Sequence, residues 1–319
     1  MPLKGDDTMD ALVHLWETPE NPEMYMIAGW QQWADAGEVS SGLPRYLIHQ
    51  THATKIGEIA EDGFYLFQIP GTHHLLRRTV KLSDGYCRSM SERKNEIYYA
   101  DFGSKGLIIF RGEEPHLNEV RYADAFFDVA EALRVKRIVA MGGVFGAMPY
   151  DKDREVSCVY SLPRMKRELD LYAVRFSNYE GGTTIGSYLA HRAEAREAEY
   201  IVFNAFAPAY DFAQLAAGVQ GMRVEEDWKA WYDLMMRIEH MFGLGLDLSD
   251  LRQRSLDLIE AWHEKVRELE RTHPDLHLQT YLNEIAKEFT ERTFIPLDDA
   301  WNELGDMLNE LDDDEDAEN

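Results

Sequence analysis

The sequence has few cysteines and no long apolar segment. Its 319 residues include two cysteines, Cys87 and Cys158, which form neither a CxxC pair nor a disulfide framework. No stretch approaches the roughly 20 apolar residues that a membrane-spanning helix needs. Residues 1–10 are polar and contain no apolar core of a signal peptide. We therefore expect two unpaired thiols, no membrane association and a cytoplasmic location.

Basic residues are also scarce. Lys and Arg number 33 against 58 Asp and Glu, a net charge of −25, and residues 223–319 contribute −17 of this from 10 basic and 27 acidic side chains. Such a field repels nucleic-acid phosphates and anionic lipids, so neither nucleic acid nor a membrane is an expected partner. A basic protein partner fits this charge. A solvated surface with an acidic tail explains it without any partner, and this is the interpretation that we favour.

Apolar runs alternate with amphipathic stretches over the first two thirds of the chain. Runs without polar alternation are typical of strands buried on both faces of a mainly parallel sheet. Helical spacing at residues 120–133 and 185–193 favours crossover helices that sandwich this sheet, which predicts an α/β fold. The continuous runs are residues 24–30, 106–111, 137–145, 171–179 and 200–207. Three segments that alternate in polarity indicate an antiparallel addition: residues 54–60, 64–69 and 96–102.

From about residue 223 the pattern is helical. The last eight residues contain six acidic side chains and are predicted to be disordered. We therefore expect an α/β domain over residues 1–222, a C-terminal helical region over 223–311 and an acidic tail over 312–319. Four amphipathic stretches mark the helical region: residues 228–242, 251–269, 278–289 and 297–311.

The helical region is rich in large apolar side chains. They form more apolar surface than a short appendage can bury within itself, which predicts self-association. Docking of these helices onto the α/β domain is the competing explanation. The side chains are Trp228, Trp231, Trp262 and Trp301, with Met235, Met236, Met241 and Phe242.

The first two candidate sites follow predicted strands, where open α/β sheets bind ligands. The loop of residues 29–37, with Gly29, Trp30, Asp35 and Gly37, suits an anion at a helix N-terminus, but also a plain turn capped by Asp35. Its spacing matches neither a P-loop nor a dinucleotide fingerprint. The second loop, residues 111–116, fits two interpretations: an acid/base cluster, or an Arg–Glu pair beside a helix cap. It contains Arg111, Glu113, Glu114 and His116.

Two glycine-rich turns follow. One is Gly142-Gly143, and the other places Gly181, Gly182 and Thr183 before a predicted helix. The second turn is a possible nest for a phosphate or carboxylate, although a strand-to-helix turn needs the same residues without a ligand. If a ligand binds, we expect it where residues 29–37, 111–116 and 179–184 converge, and we expect a small molecule with an anionic or hydroxylated end.

Metal and nucleophile motifs are missing. His73 and His74 are adjacent, and Pro274 separates His273 from His277, so the histidines do not form a ligand set. No Gly-x-Ser-x-Gly elbow occurs, and neither cysteine has a recognisable catalytic partner. We therefore assign no catalytic residue, no metal and no cofactor.

The loops, taken together and in order, resemble the PAC2 (proteasome assembly chaperone 2) family. The resemblance implies a phosphorylase/hydrolase-like α/β fold, similar to that of purine nucleoside phosphorylases, and a homo-oligomer, with a trimer as one option. It also implies an unknown protein partner, because eukaryotic and archaeal members are associated with proteasome assembly. The matching segments are Gly29 to Gly37, Arg111 to Pro115, Gly142 to Gly146, Tyr179 to Thr184 and Ala207 to Tyr210.

The chain departs from the family pattern in two places. Residues 148–154 replace a Pro-His-Thr-Arg-like stretch, and the sequence ends Ala317-Glu318-Asn319 rather than in a hydrophobic-Tyr-any tail, which speaks against tail-mediated docking. Two functions follow: a non-enzymatic assembly chaperone or scaffold, or a nucleoside- or phosphate-type hydrolase or phosphorylase. A deep pocket with Glu113, Asp35 and the Gly181–Gly182 backbone would favour the enzyme. A flat apolar surface there would favour the scaffold.

Overall fold

The computed structural model describes residues 12–31, 33–61, 63–67, 78–212 and 221–296. In these ranges the strands are β1 Val13–Leu15, β2 Glu23–Gln31, β3 Thr54–Ile59, β4 Val80–Ser83, β5 Tyr86–Met90, β6 Glu96–Phe102, β7 Lys105–Glu113, β8 Val135–Gly146, β9 Val156–Tyr160, β10 Arg175–Phe176, β11 Glu199–Tyr210 and β12 Met222–Arg223. The helices are α1 Gly42–Gln50, α2 Glu119–Ala132, α3 Lys166–Leu169, α4 Ile185–Glu194, α5 Trp228–Phe242, α6 Ser249–Thr272 and α7 Leu278–Glu288.

A ten-stranded sheet organises the fold, in the order β1-β3-β6-β7-β2-β8-β11-β9-β10, with β12 paired to the end of β11. Its centre, β7-β2-β8-β11, is parallel. On one side β6, β3 and β1 add antiparallel strands, and on the other β9 runs antiparallel to β11 and parallel to β10. The predicted α/β class with a parallel central sheet is confirmed.

Helices cover both faces of the sheet. The side chains of β2 alternate between the two faces, so that Met26 packs beneath α2 and α4 while its neighbour Ile27 packs beneath α1 and α5. Phe126 of α2 and Leu189 of α4 lie in the first core, and both are fully buried. Because both faces are covered, the central strands read as continuous apolar runs in the sequence.

The C-terminal helices pack on the rest of the chain. Trp231 and Phe242 of α5 lie in the core beneath the sheet, and Trp262 of α6 packs against Tyr210 at the end of β11. Docking therefore accounts for most of the apolar surface from which we predicted self-association, and Trp301 lies outside the described residues. The homo-oligomer stays a prediction without this support.

Some local predictions were wrong. Residues 171–179 are not one strand, because a 3₁₀ turn covers Asp170–Tyr172 and Ala173 is left-handed (φ 50°), which leaves the two-residue β10. Strand β9 was missed, and Phe64 lies in a turn rather than in a strand. Segments 54–60 and 96–102 are antiparallel as predicted. The predicted fourth helix and the predicted acidic tail lie outside the described residues, as do His73 and His74.

None of the described helices is long and apolar enough to cross a membrane. The described residues also contain no group of three or more His, Cys, Asp or Glu side chains placed to hold a metal ion.

Candidate functional site

The carboxyl ends of β2 and β7 meet the N-terminus of α4 at Glu114. Glu114 Oε1 accepts a hydrogen bond from the backbone N–H of Ile185, the first residue of α4, at 2.7 Å. The carboxylate also accepts one from the backbone N–H of Trp33. Burial raises the pKa of Glu114 even though these two bonds favour the charged form. A carboxylate of the protein itself thus occupies the helix N-terminus, where negative charge is stabilised and where we predicted an external anion.

Asp35 has a similar internal role. Its Oδ1 accepts hydrogen bonds from the backbone N–H groups of Ser40 (2.9 Å) and Ser41 (2.8 Å), which fixes the turn before α1. Burial raises the pKa of Asp35. The same loop is joined to β8 by a hydrogen bond from Gly143 N to Ala34 O at 2.8 Å. Asp35 therefore serves the turn, as the alternative interpretation of this loop expected.

The glycines of this loop allow close backbone approach. A Cβ on Gly29 would lie 1.9 Å from the carbonyl oxygen of Ser40. Gly37 has a φ of 66°, and its carbonyl accepts hydrogen bonds from Asp227 N (2.9 Å) and from Trp231 Nε1 (3.0 Å). Gly37 thereby connects the loop to the start of α5. The close approach at Gly29 and the positive φ of Gly37 explain why both residues are glycines.

Arg111, Glu113 and His116 each contact a different neighbour. Arg111 Nη1 lies 3.8 Å from a carboxylate oxygen of Glu96 on β6, and Glu113 forms an ion pair with Arg93. His116 Nδ1 accepts a hydrogen bond from the backbone N–H of residue 66 at 3.1 Å. Burial lowers the pKa of His116. The three side chains therefore hold separate parts of the loop and the neighbouring strands.

The glycine-rich turn before α4 lies at the surface. Gly181, Gly182 and Thr183 are exposed, and the ring of Tyr179 folds over Gly181 so closely that a Cβ there would lie 2.3 Å from the Tyr179 hydroxyl. Helix α4 is capped by Thr184, whose Oγ1 accepts a hydrogen bond from Ser187 N at 3.1 Å. Tyr179 thus covers the turn at Gly181.

A narrow pocket lies where the three loops meet. It is small, with a volume of about 20 Å³, opens to solvent and is lined in part by Trp30, Glu114, Thr184 and Asn204. The three loops therefore converge as we expected, and Trp30 and Glu114 line the pocket. The other predicted site residues do not line it: Gly29, Asp35, Gly37, Arg111, Glu113, His116, Gly181, Gly182 and Thr183. Ligand binding stays a prediction.

A buried polar network beside the pocket was missed from the sequence. Trp30 Nε1 donates a hydrogen bond to Tyr122 Oη (2.8 Å), and the hydroxyls of Tyr122 and Tyr65 both lie 2.9 Å from Asn95 Oδ1. Asn95 and Tyr122 are buried, and burial raises the pKa of Tyr122 well above its ordinary value. These four residues come from four separate segments, so no local pattern connects them.

A buried ion pair that we did not predict from the sequence holds α5 in place. Arg154 and Asp227 form a fully buried ion pair, and Asp227 Oδ1 also accepts a hydrogen bond from Ala230 N at 3.0 Å, which caps the helix. Beside it Lys229 pairs with both Asp153 and Asp233. Arg154 lies in the stretch where the chain departs from the family pattern. That stretch therefore holds a helix in place.

Exposed apolar side chains lie near the carboxyl ends of the central strands. Trp33 follows β2, Val144 and Phe145 lie near the end of β8, Leu117 follows β7, and Tyr179 precedes α4. All five side chains are exposed, Trp33 to 75%. We call this group the carboxyl-edge surface. Single exposed apolar residues are ordinary, whereas a group of them at one edge of a sheet is typical of an interaction site.

Comparison with known proteins agrees with this fold. The model of the PAC2 family matches residues 29–270. No curated protein gave a significant sequence match. A PAC2 family protein from Streptomyces avermitilis is 22% identical with a TM-score of 0.63, over 79% of this chain and 97% of that one. A proteasome-assembly chaperone homologue from Mycobacterium tuberculosis is 21% identical with a TM-score of 0.63, over 77% and 94%.

An archaeal protein is also similar. PbaB from Pyrococcus furiosus, described as an archaeal proteasome activator, is 18% identical with a TM-score of 0.54, over 81% of this chain and 98% of that one. Likeness at these identities shows the fold. Since the family match covers most of the sequence and includes the loops that converge at the pocket, the chain belongs to the PAC2 family.

Proposed function

We propose that this protein is a non-enzymatic assembly chaperone or scaffold that binds a partner protein through the carboxyl-edge surface. The observation that carries the proposal is the exposure of Trp33, Leu117, Val144, Phe145 and Tyr179 at this edge. Aromatic side chains exposed in a group are enriched in the cores of protein interfaces. The solved structures support a role of this kind. PbaB is described as a proteasome activator, and PbaA, a second protein from Pyrococcus furiosus with a similar fold, is described as an archaeal homologue of a proteasome-assembly chaperone.

The charge of the chain indicates the chemistry of the partner. A net charge of −25 attracts a basic surface and speeds its encounter, while the apolar side chains supply the contact area. The expected partner is therefore a protein with an apolar patch in basic surroundings.

The enzymatic alternative has less support. It requires a pocket that contains Glu113, Asp35 and the backbone of Gly181 and Gly182, and none of these four lines the pocket. The carboxylates of Glu113 and Asp35 already bind Arg93 and the turn before α1. We also retain, as parts of this proposal, the cytoplasmic location, the homo-oligomer and the division into regions 1–222 and 223–311.

Site-specific photo-cross-linking tests the proposal. A benzoylphenylalanine in place of Trp33 is expected to cross-link one discrete protein in cells. The matched control is Leu171, which is 72% exposed. It lies near the opposite end of the sheet, because its neighbour Glu168 pairs with Arg137 at the start of β8. Cross-linking of the same protein with equal yield from both positions would contradict a specific carboxyl-edge interface.

A further inference from the structure

Glu114 lines the pocket with unused hydrogen-bonding capacity. Its carboxylate accepts two hydrogen bonds, from the backbone N–H groups of Ile185 and Trp33, whereas an ionised carboxylate has room for about four. The described residues supply no lysine or arginine that pairs with it. The N-terminus of α4 offsets part of this charge but is not a cationic partner. The carboxylate therefore repels the anionic ligand that we predicted from the sequence and attracts a cationic one.

Asn204 of β11 is the second group of the pocket that is free to bind. Its side chain lines the pocket and forms no hydrogen bond with the described part of the chain. The two hydroxyl side chains of the pocket are already engaged: Ser40 Oγ donates to a backbone carbonyl at 2.7 Å, and Thr184 Oγ1 accepts from Ser187 N at 3.1 Å. A ligand would therefore meet the Glu114 carboxylate and the Asn204 amide.

Gly142 of β8 is paired with Asn204 and gives its side chain room. A Cβ on Gly142 would lie 2.2 Å from Asn204 Oδ1, closer than two such atoms can approach. Because this contact involves the end of a flexible side chain, a larger residue would displace the amide rather than the backbone. Gly142 belongs to a glycine-rich turn that we singled out in the sequence, and its role is to keep the Asn204 amide at the wall of the pocket.

The size of the pocket limits the cation that fits. A volume of about 20 Å³ admits roughly one or two water-sized groups. A lysine ammonium is compact and has three donors and no acceptor, whereas an arginine guanidinium is a wider planar fork. We propose that the pocket receives a lysine ammonium of the partner protein, which donates hydrogen bonds to the Glu114 carboxylate and to Asn204 Oδ1. The third N–H stays hydrated, because the pocket opens to solvent.

This inference rests on the proposed function, because it places the lysine in the interface with the partner. Ala34 lines the pocket and directly follows Trp33 of the carboxyl-edge surface, whose backbone N–H binds Glu114. A lysine that enters the pocket therefore brings its alkyl stem close to this surface. The net charge of −25 also favours the approach of a lysine-bearing surface over that of an acidic one.

Titration of the isolated protein with n-butylammonium chloride, which mimics the lysine side chain, tests the pocket. The NMR signals of the Asn204 side-chain amide, identified by their absence in Asn204→Ala, are expected to shift saturably. Glu114→Gln keeps an oxygen for Ile185 N and should weaken the binding about tenfold or more, because it removes a charge-assisted hydrogen bond. The matched control is Glu131→Gln, which removes the same charge from an exposed position on α2 and should keep the wild-type affinity.

Two further comparisons test the shape and the chemistry of the pocket. Gly142→Ala should weaken the binding, because its Cβ displaces the Asn204 amide; if this variant is unstable in thermal unfolding, the Glu114→Gln comparison decides alone. Tetramethylammonium, a cation without N–H donors, should leave the Asn204 signals in place. The proposal is overturned if n-butylammonium causes no saturable shift, if it binds wild type and Glu114→Gln equally, or if tetramethylammonium or n-butylguanidinium binds as tightly.

Cross-linking separates this inference from the proposed function. With benzoylphenylalanine in place of Trp33, Glu114→Gln should reduce the yield of the discrete cross-linked protein, whereas Glu131→Gln should not. An unchanged yield in Glu114→Gln would leave the carboxyl-edge interface intact and overturn the lysine in the pocket. If n-butylammonium binds but the substitution at Trp33 gives no discrete product, the proposed function fails, and with it the partner as the source of the ammonium; a free amine is then the ligand.

Discussion

Arg154 and Asp227 form a two-pronged ion pair inside the protein, with Arg154 Nε 2.8 Å from Asp227 Oδ2 and Arg154 Nη2 3.2 Å from Oδ1. Both side chains are fully buried. The pair joins the loop after β8 to the first turn of α5. Because removal of one partner leaves an uncompensated buried charge, the pair is a sensitive point of the fold.

The first prediction concerns this pair. Arg154→Met should lower the free energy of unfolding by about 3–5 kcal/mol, the usual effect of breaking a buried ion pair from one side. Arg45→Met breaks the pair of Arg45 with Glu38, which is about half exposed, and should change stability by less than about 1 kcal/mol. Urea denaturation measures both. Equal effects of the two changes would contradict a structural role for Arg154.

The second prediction compares two buried tyrosines. Tyr122→Phe removes the acceptor of Trp30 Nε1 and should cost about 1–3 kcal/mol of stability, because a buried N–H then has no partner. Tyr200 is also buried, but its hydroxyl has no hydrogen-bond partner in the described part of the chain. Tyr200→Phe should therefore leave the thermal midpoint unchanged or raise it. The prediction is wrong if Tyr200→Phe is the more damaging change.

The third prediction compares two glycines. Gly29→Ala should destabilise the protein by about 1–3 kcal/mol or more, because its Cβ would overlap the carbonyl of Ser40. A Cβ on Gly182 meets no heavy atom within 4 Å, and Gly182 does not have a positive φ. Gly182→Ala should thus be neutral or stabilising by up to about 1 kcal/mol. Differential scanning calorimetry decides, and a folded, wild-type-like Gly29→Ala protein would contradict the close approach.

The fourth prediction is a pH dependence at Glu114. Burial raises the pKa of this carboxyl above 4.5, so the folded state binds its proton more tightly than the unfolded state. The wild-type protein should therefore lose stability as the pH rises from the ordinary glutamate pKa through the raised one. Glu114→Gln, which still offers an oxygen to Ile185 N, should gain relative to wild type over the same interval. Unfolding at pH 4 and pH 7 tests this, and a difference that does not change with pH would count against it.

The central sheet was predictable because its strands are buried on both faces, as at Met26 and Ile27. Burial on both faces requires a continuous apolar run, and such a run is recognisable in the sequence. Residues 171–179 are similarly apolar, but Ala173 is left-handed and breaks the strand, which composition does not reveal. Strand β9 lies near the edge of the sheet and is five residues long, so its signal is short.

The convergence of the loops followed from the parallel order of the strands, whereas the partners of their side chains did not. Glu113 pairs with Arg93 at a separation of 20 residues, and Arg154 with Asp227 at 73. Such contacts depend on the packing of elements that are distant in sequence. The sequence showed that Asp35 and Glu114 lie at strand ends, but not that backbone N–H groups of the chain itself would bind their carboxylates.

Helix α5 is synthesised after the strands that it covers. One face of the sheet is covered by α5, whose residues 228–242 leave the ribosome after every strand of the central parallel group has been made. Until then Ile27, Ile109 and Val139 lack part of their cover, and an exposed apolar sheet face promotes aggregation. A nascent chain that ends at residue 222 therefore lacks the helix that covers this face. The chain covers this face only after residues 228–242 have emerged.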